Sequence, residues 1–169
     1  KKLLKMFGRI LKFLPESYYR IILNDFVGSS PEFRKTIGKY LHRYATGHER
    51  QIAELFDALD VDGIKMLMRI VADAGTEPAF EVLKEVLHDS SELELRKKAL
   101  SLLAKKFDLT KKRFDLTPDL AELFEDALPQ MRLTSLKLAR EKGFSTLASA
   151  VADRATSSVF HGLPMEERR

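Results

Sequence analysis

The sequence predicts an all-α fold, an α-solenoid of stacked antiparallel helical hairpins. Three observations predict it. Alternating β-branched runs bounded by turns do not occur, whereas apolar residues recur at helical spacing between clean stops. The helices so delimited are short, roughly 10 to 16 residues, so none buries its apolar stripe alone. Turns of two to four residues join them, which makes consecutive helices antiparallel neighbours. A common frame also returns along the chain. "LELRKKALSLLAKK", from Leu93, lies over "PQMRLTSLKLAREK", from Pro129, with Arg96 on Arg132, Leu100 on Leu136 and Leu102 on Leu138. "PEFRKTIGKYL", from Pro31, fits the same frame, with Phe33-Arg34 on Leu95-Arg96.

Taken in order, the first helix covers Lys2 to Phe13. Pro15 opens the second, which Gly28 closes. Ser30-Pro31 reads as an N-cap followed by proline at N1 and starts a helix that runs to Gly47. His48 to Leu59 follows, then Asp62 to Ala74, closed by Gly75. Thr76 caps Glu77 to His88. Ser90 or Ser91 caps a longer helix to about Lys106. Thr117-Pro118 opens the next, and Pro129 opens one that ends at Gly143. A last pair begins near Ser145 and Pro164. The frame places Leu95, Leu102, Leu103, Met131, Leu136 and Leu138 between packed helices.

An acidic residue closes the helix before each framed segment: Asp25, Asp89 and Asp126. An aspartate, a short turn, then hydrophobic-Arg-x-x-Ala/Ser-Leu on the second helix of a hairpin resembles HEAT repeats. The likeness covers nearly the whole chain and is nearest to HEAT-like repeat proteins of bacteria. It implies a superhelix with a right-handed drift, organised as a single domain over residues 1–169 of about four hairpins plus cut terminal helices. It also implies that Asp89 with Arg96 and Asp126 with Arg132 form rungs of a structural ladder, with Asp25 and Arg34 a looser rung. Some HEAT-like proteins are enzymes, among them DNA glycosylases that use tryptophans with an aspartate, and bilin lyases. This chain has no tryptophan.

Composition narrows function further. The 169 residues are 44% hydrophobic and 32% charged, a mixture that folds. Cysteine is absent, which rules out disulfides and thiolate metal sites and fits a cytoplasmic location. Four histidines are scattered, with no His-Glu-x-x-His and no Gly-rich loop after a strand. No catalytic residue, metal ligand or cofactor is nameable. The chain begins at Lys1 and stops within a helical pattern, so it reads as an excerpt of a longer protein.

Charge is the feature that stands out. First members of the hairpins, the A helices, are acidic: His48 to Asp60, Glu77 to Asp89, Pro118 to Asp126 and, weakly, Pro15 to Phe26. Second members, the B helices, are basic at Pro31 to Thr46, Ser91 to Lys106 and Pro129 to Lys142; only Asp62 to Ala74 is neutral. The totals are −11 for A and +9 for B, concealed within a chain net charge of +4. In a HEAT-like stack the B helices line the concave side, which implies a basic groove. Lys35, Lys39, Lys65, Arg69, Lys97, Lys98 and Lys137 are the expected floor. A doubled segment, "KKFDLTKKRFDLT" at 105–117, reads as an inserted loop near 107–117, with Lys112 and Arg113 at the groove rim. It is either a basic accessory site or a linker pinned by Phe107 and Phe114. Two functions follow. One is a non-catalytic protein-interaction scaffold for an acidic peptide or surface. The other is a nucleic-acid-binding solenoid that contacts phosphates. The alternative to both is that the charges merely compensate one another between packed helices.

Overall fold

The computed structural model describes residues 2–110 and 114–156, apart from the side chains of residues 108–110, 154 and 155. Among the described residues there are ten α-helices and no strand. Contacts divide the chain into two compact units, Lys1–Lys106 and Phe107–Arg169, where the sequence predicts one repeat domain. The division falls inside the doubled segment.

The first unit opens with α1 (Lys2–Leu11), α2 (Tyr19–Val27) and α3 (Pro31–Arg43). Ser30 caps α3 through its hydroxyl, which accepts from the Phe33 N–H, and Pro31 stands in the first turn, where a missing N–H costs nothing. α3 ends earlier than Gly47. Its last turn is instead tied down by two tyrosines: Tyr40 donates to the Pro15 carbonyl at 2.6 Å and Tyr44 to that of Leu14 at 3.2 Å. Pro15 itself precedes a short 3₁₀ turn, Glu16–Tyr18, rather than α2 directly.

α4 spans only Glu49–Ala53, against the predicted His48 to Leu59. Beyond it, N–H groups bond three residues back, as in Leu55 to Ile52 and Ala58 to Leu55. This tighter winding ends in an extended Leu59 and frees Asp60 to cap α5 (Val61–Ala74), its carboxylate accepting the Gly63 N–H at 2.8 Å. Gly75 closes α5 with φ +66°, the left-handed region glycine enters without strain. Thr76 caps α6 (Glu77–Asp89), as predicted. Glu49 is buried, and its carboxylate accepts both the Gly47 N–H and the Thr76 hydroxyl, tying the start of α4 to the start of α6.

The core of this unit gathers Leu23, Phe26, Ile37, Leu41, Ile52, Leu67 and Val71. α3 packs on α5, and the fit is close at Gly38: a Cβ there would stand 2.3 Å from Met66 Cε. Met68 is fully buried.

α7 runs Leu93–Thr110, past the predicted stop at Lys106. No glycine or proline interrupts the helical pattern until Pro118, so nothing in the backbone ends the helix sooner. Residues 107–110, assigned to an inserted loop, are therefore helical. Ser90 does not cap α7; its hydroxyl accepts the Glu92 N–H in the preceding turn, and Glu92 supplies the first carbonyl of the helix.

The second unit holds α8 (Thr117–Leu123), α9 (Pro129–Lys142) and α10 (Ala148–Thr156). α9 begins at proline and ends at Gly143, φ +68°, as its sequence predicts. Phe107 meets Phe114 edge-on, with ring centroids 6.1 Å apart, and also packs on Phe144 at 4.9 Å. Leu116 is fully buried. Of the six leucine and methionine positions expected inside, Leu95, Leu103 and Met131 are buried, and Leu102, Leu136 and Leu138 are half-buried. The helix predicted from Pro164, like Lys112 and Arg113, lies outside the described residues.

Candidate binding surface

Three arginines occupy the repeated position, and all three donate to main-chain carbonyls shortly before their own helix, at the end of α2, near the end of α6 and in the turn after α8 (Thr117–Leu123). Arg34 donates from Nε to Phe26 O at 3.1 Å and from Nη2 to Val27 O at 3.0 Å. Arg96 donates to Leu87 O at 2.7 Å. Arg132 donates to Asp126 O at 2.6 Å and Ala127 O at 3.2 Å. The last carbonyls of a helix have no partner within it, so Arg34 and Arg96 satisfy such carbonyls and complement the negative end of the dipole, while Arg132 satisfies carbonyls of the turn. Arg96 and Arg132 are both buried.

The looser rung expected between Asp25 and Arg34 is displaced. Arg34 pairs not with Asp25 but with Asp60 Oδ1 at 2.7 Å, at the start of α5. Asp25 and Asp89 are exposed, and Arg96 donates from Nε to the Leu87 carbonyl. Asp126 does approach Arg132, through its main-chain oxygen, while its carboxylate accepts the Leu128 N–H. The Gly63 N–H, then Arg34, hold the Asp60 carboxyl below the usual carboxylate range.

In the first unit the B helices α3, α5 and α7 carry the expected cations. Lys35, Lys39 and Arg69 are exposed; Lys65, Lys97 and Lys98 are half-buried. Lys98 lies among like charges: burial first, then Arg69, Lys65 and Lys105, pull its ammonium below the ordinary lysine value. Compensation reaches part of this surface. Lys65 meets Glu94 at 3.4 Å. Asp73 on α5 receives His42 of α3 at 3.3 Å and Lys106 of α7 at 3.0 Å. Burial pushes Asp73 up, but these two partners outweigh it and leave its carboxyl lowered. Lys137 is exposed on α9, in the second unit.

A second group of cations, outside the expected floor, lies on and just past α1, which stands outside the hairpin pairs. Lys5, Arg9 and Lys12 recur at helical spacing and face Lys39 and Arg43 of α3 across a groove of about 390 Å³. Among the described residues lining that groove there is no carboxylate. Arg43 donates to the Lys12 carbonyl at 2.8 Å, which ties α3 to the end of α1.

The A helices behave differently. Arg50 of α4 reaches both Glu81, at 2.9 Å, and Glu85, at 2.5 Å, on α6. Their acidic charge is thus partly met within the chain. His48 stacks on Tyr19 at 4.1 Å and meets Glu16 at 2.9 Å, one of several bonds pinning the α1–α2 turn. No group of three His, Asp or Glu among the described residues has the geometry to hold a metal. No described helix is long and apolar enough to cross a membrane.

No protein-family model matches the chain, and neither a curated protein nor a solved structure matches it.

Proposed function

We propose that the chain is a non-catalytic interaction scaffold whose B-helix surface binds an acidic partner. The observation that carries this reading is the groove between α1 and α3, where five cations line one depression without a carboxylate among the described lining residues. Like charges gathered on a wall raise the local potential and steer an oppositely charged partner. Crowding around Lys98 supports the same reading on α5 and α7. Architecturally, we infer a HEAT-like solenoid of antiparallel hairpins. Support comes from the recurring arginine, which from α3, α7 and α9 donates to main-chain carbonyls a few residues before its own helix. The scaffold acts in the cytoplasm in this reading, in keeping with a chain without cysteine.

The nucleic-acid alternative has less support. Contacts to single strands favour exposed planar side chains for stacking. Tyr40, which borders the groove, is buried and its hydroxyl is bonded to Pro15.

The test is paired charge reversal. Lys97→Glu with Lys98→Glu, and separately Arg9→Glu with Lys39→Glu, are expected to slow association with poly-glutamate, an effect that fades with salt. Glu122→Lys with Glu125→Lys, at and just past the end of α8, is expected to leave association nearly unchanged. Equal effects from the reversals would overturn the reading and leave the charges as compensation between packed helices.

A further inference from the structure

We propose that the α1–α3 groove, together with the apolar stripe beside it, takes an acidic amphipathic helix of another protein. The proposal rests on the reading of the B-helix surface as a docking site and names the chemistry of what docks.

α1 is held on α3 by one arc only. Phe7 stacks on Phe33 with centroids 4.8 Å apart, Leu11 is buried, and Gly8 lies where a Cβ would come within 3.3 Å of Thr36. At 3.6 residues per turn, two further arcs remain. Lys5, Arg9 and Lys12 make one and border the groove. Leu3, Met6 and Ile10 make the next, and Phe13, just past the helix, continues it. Leu3 is 78% exposed and Phe13 87%. Four of the seven large exposed hydrophobics among the described residues lie on or just past α1: Leu3, Met6, Ile10 and Phe13. An apolar patch of this kind, next to uncompensated cations, marks an interaction surface.

The two arcs ask for different chemistry from one partner. Cations ask for carboxylates or phosphates, and the stripe asks for apolar cover. Nucleic acid supplies phosphates but leaves Leu3, Met6 and Ile10 wet. A bilayer covers the stripe, but its flat surface does not enter a groove walled by two helices. An amphipathic helix meets both demands. Leucines spaced three and four apart lie on the stripe, and glutamates on one flank reach Lys5, Arg9, Lys39 and Arg43.

The experiment titrates the full chain into a fluorescent helical peptide of about four turns, with leucines on one face and glutamates on the flank. A scrambled peptide of equal composition is the control. The expected result is saturable binding, at least tenfold weaker for the scrambled peptide. Met6→Gln with Ile10→Gln, and separately Arg9→Glu with Lys39→Glu, are each expected to weaken it at least tenfold. All four positions are exposed, and thermal unfolding checks that the variants fold. If charge reversal weakens binding but the Met6/Ile10 pair and the scrambling do not, this proposal falls and the basic-surface reading stands. Should poly-glutamate also fail to bind, both fall. Tighter binding to single-stranded DNA or to vesicles of anionic phospholipid would overturn it. So would self-association that buries the stripe, detected as a concentration-dependent mass in the absence of peptide.

Discussion

Arg34 and Lys39 stand on the same helix and do opposite work. Arg34 belongs to a row of arginines at the helix ends, where the charge is consumed: two carbonyls and one carboxylate receive its donors. Lys39 belongs to the α1–α3 groove, where five cations meet no carboxylate among the described lining residues. Net charge does not distinguish the two regions. Desolvation does, because a cation taken out of water needs partners and an exposed one keeps its hydration. The row is structural, and the groove is the surface we propose for binding.

The comparison is open to measurement. The core sets the scale: Leu103→Ala, at a fully buried position of α7, is expected to cost about 2–5 kcal/mol in chemical denaturation. Arg34→Ala is expected next, at about 2–3 kcal/mol, since it strands the carbonyls of Phe26 and Val27 in a partly buried turn. A loss below about 0.5 kcal/mol, the ordinary surface level, would erase the distinction between row and groove.

Acid sharpens it. Asp60 and Asp73 are held below the usual carboxylate range in the fold, so the folded state binds their protons less readily than the unfolded chain. Their contribution is complete above the unfolded value near pH ~4 and is lost as pH falls through the depressed folded values. Unfolding midpoints followed downward from neutral pH should therefore drop in that acidic window. The drop should shrink in Asp60→Asn, and an identical profile would show that the Asp60 pairing adds nothing. The smallest effect is expected in the groove: Lys39→Glu should change stability by less than about 0.5 kcal/mol while weakening an acidic ligand.

Local chemistry made much of the fold legible. Ser30, Thr76, Pro129, Gly75 and Gly143 act where their types act in any chain, at caps and left-handed positions. The ends of α4 and α7 were not legible. Neither segment contains a breaker, and α4 yields to a 3₁₀ turn that lets Asp60 cap the following helix. The basic character of α3 and α7 was readable from composition, as was the neutrality of α5, but which cations were already engaged was not. The carboxylate Arg34 finds is Asp60, 26 positions on, not the nearer Asp25. Such a partner is chosen by packing, which local spacing does not encode. The cations of α1 were visible as Lys5, Arg9 and Lys12, but only their placement opposite Lys39 and Arg43 turns them into a wall.

One consequence of the Arg34 contacts concerns motion. A single guanidinium on α3 holds the closing carbonyls of α2 and the aspartate that caps α5. Even the space beside it is filled: a Cβ on Gly63 would stand 2.9 Å from Arg34 Nη1. Release of that one side chain frees the end of one helix and the beginning of another at the same moment. Fraying of α2 and α5 is thus converted from two local events into one shared opening, so amide protons in the last turn of α2 and the first turn of α5 exchange with a common free energy.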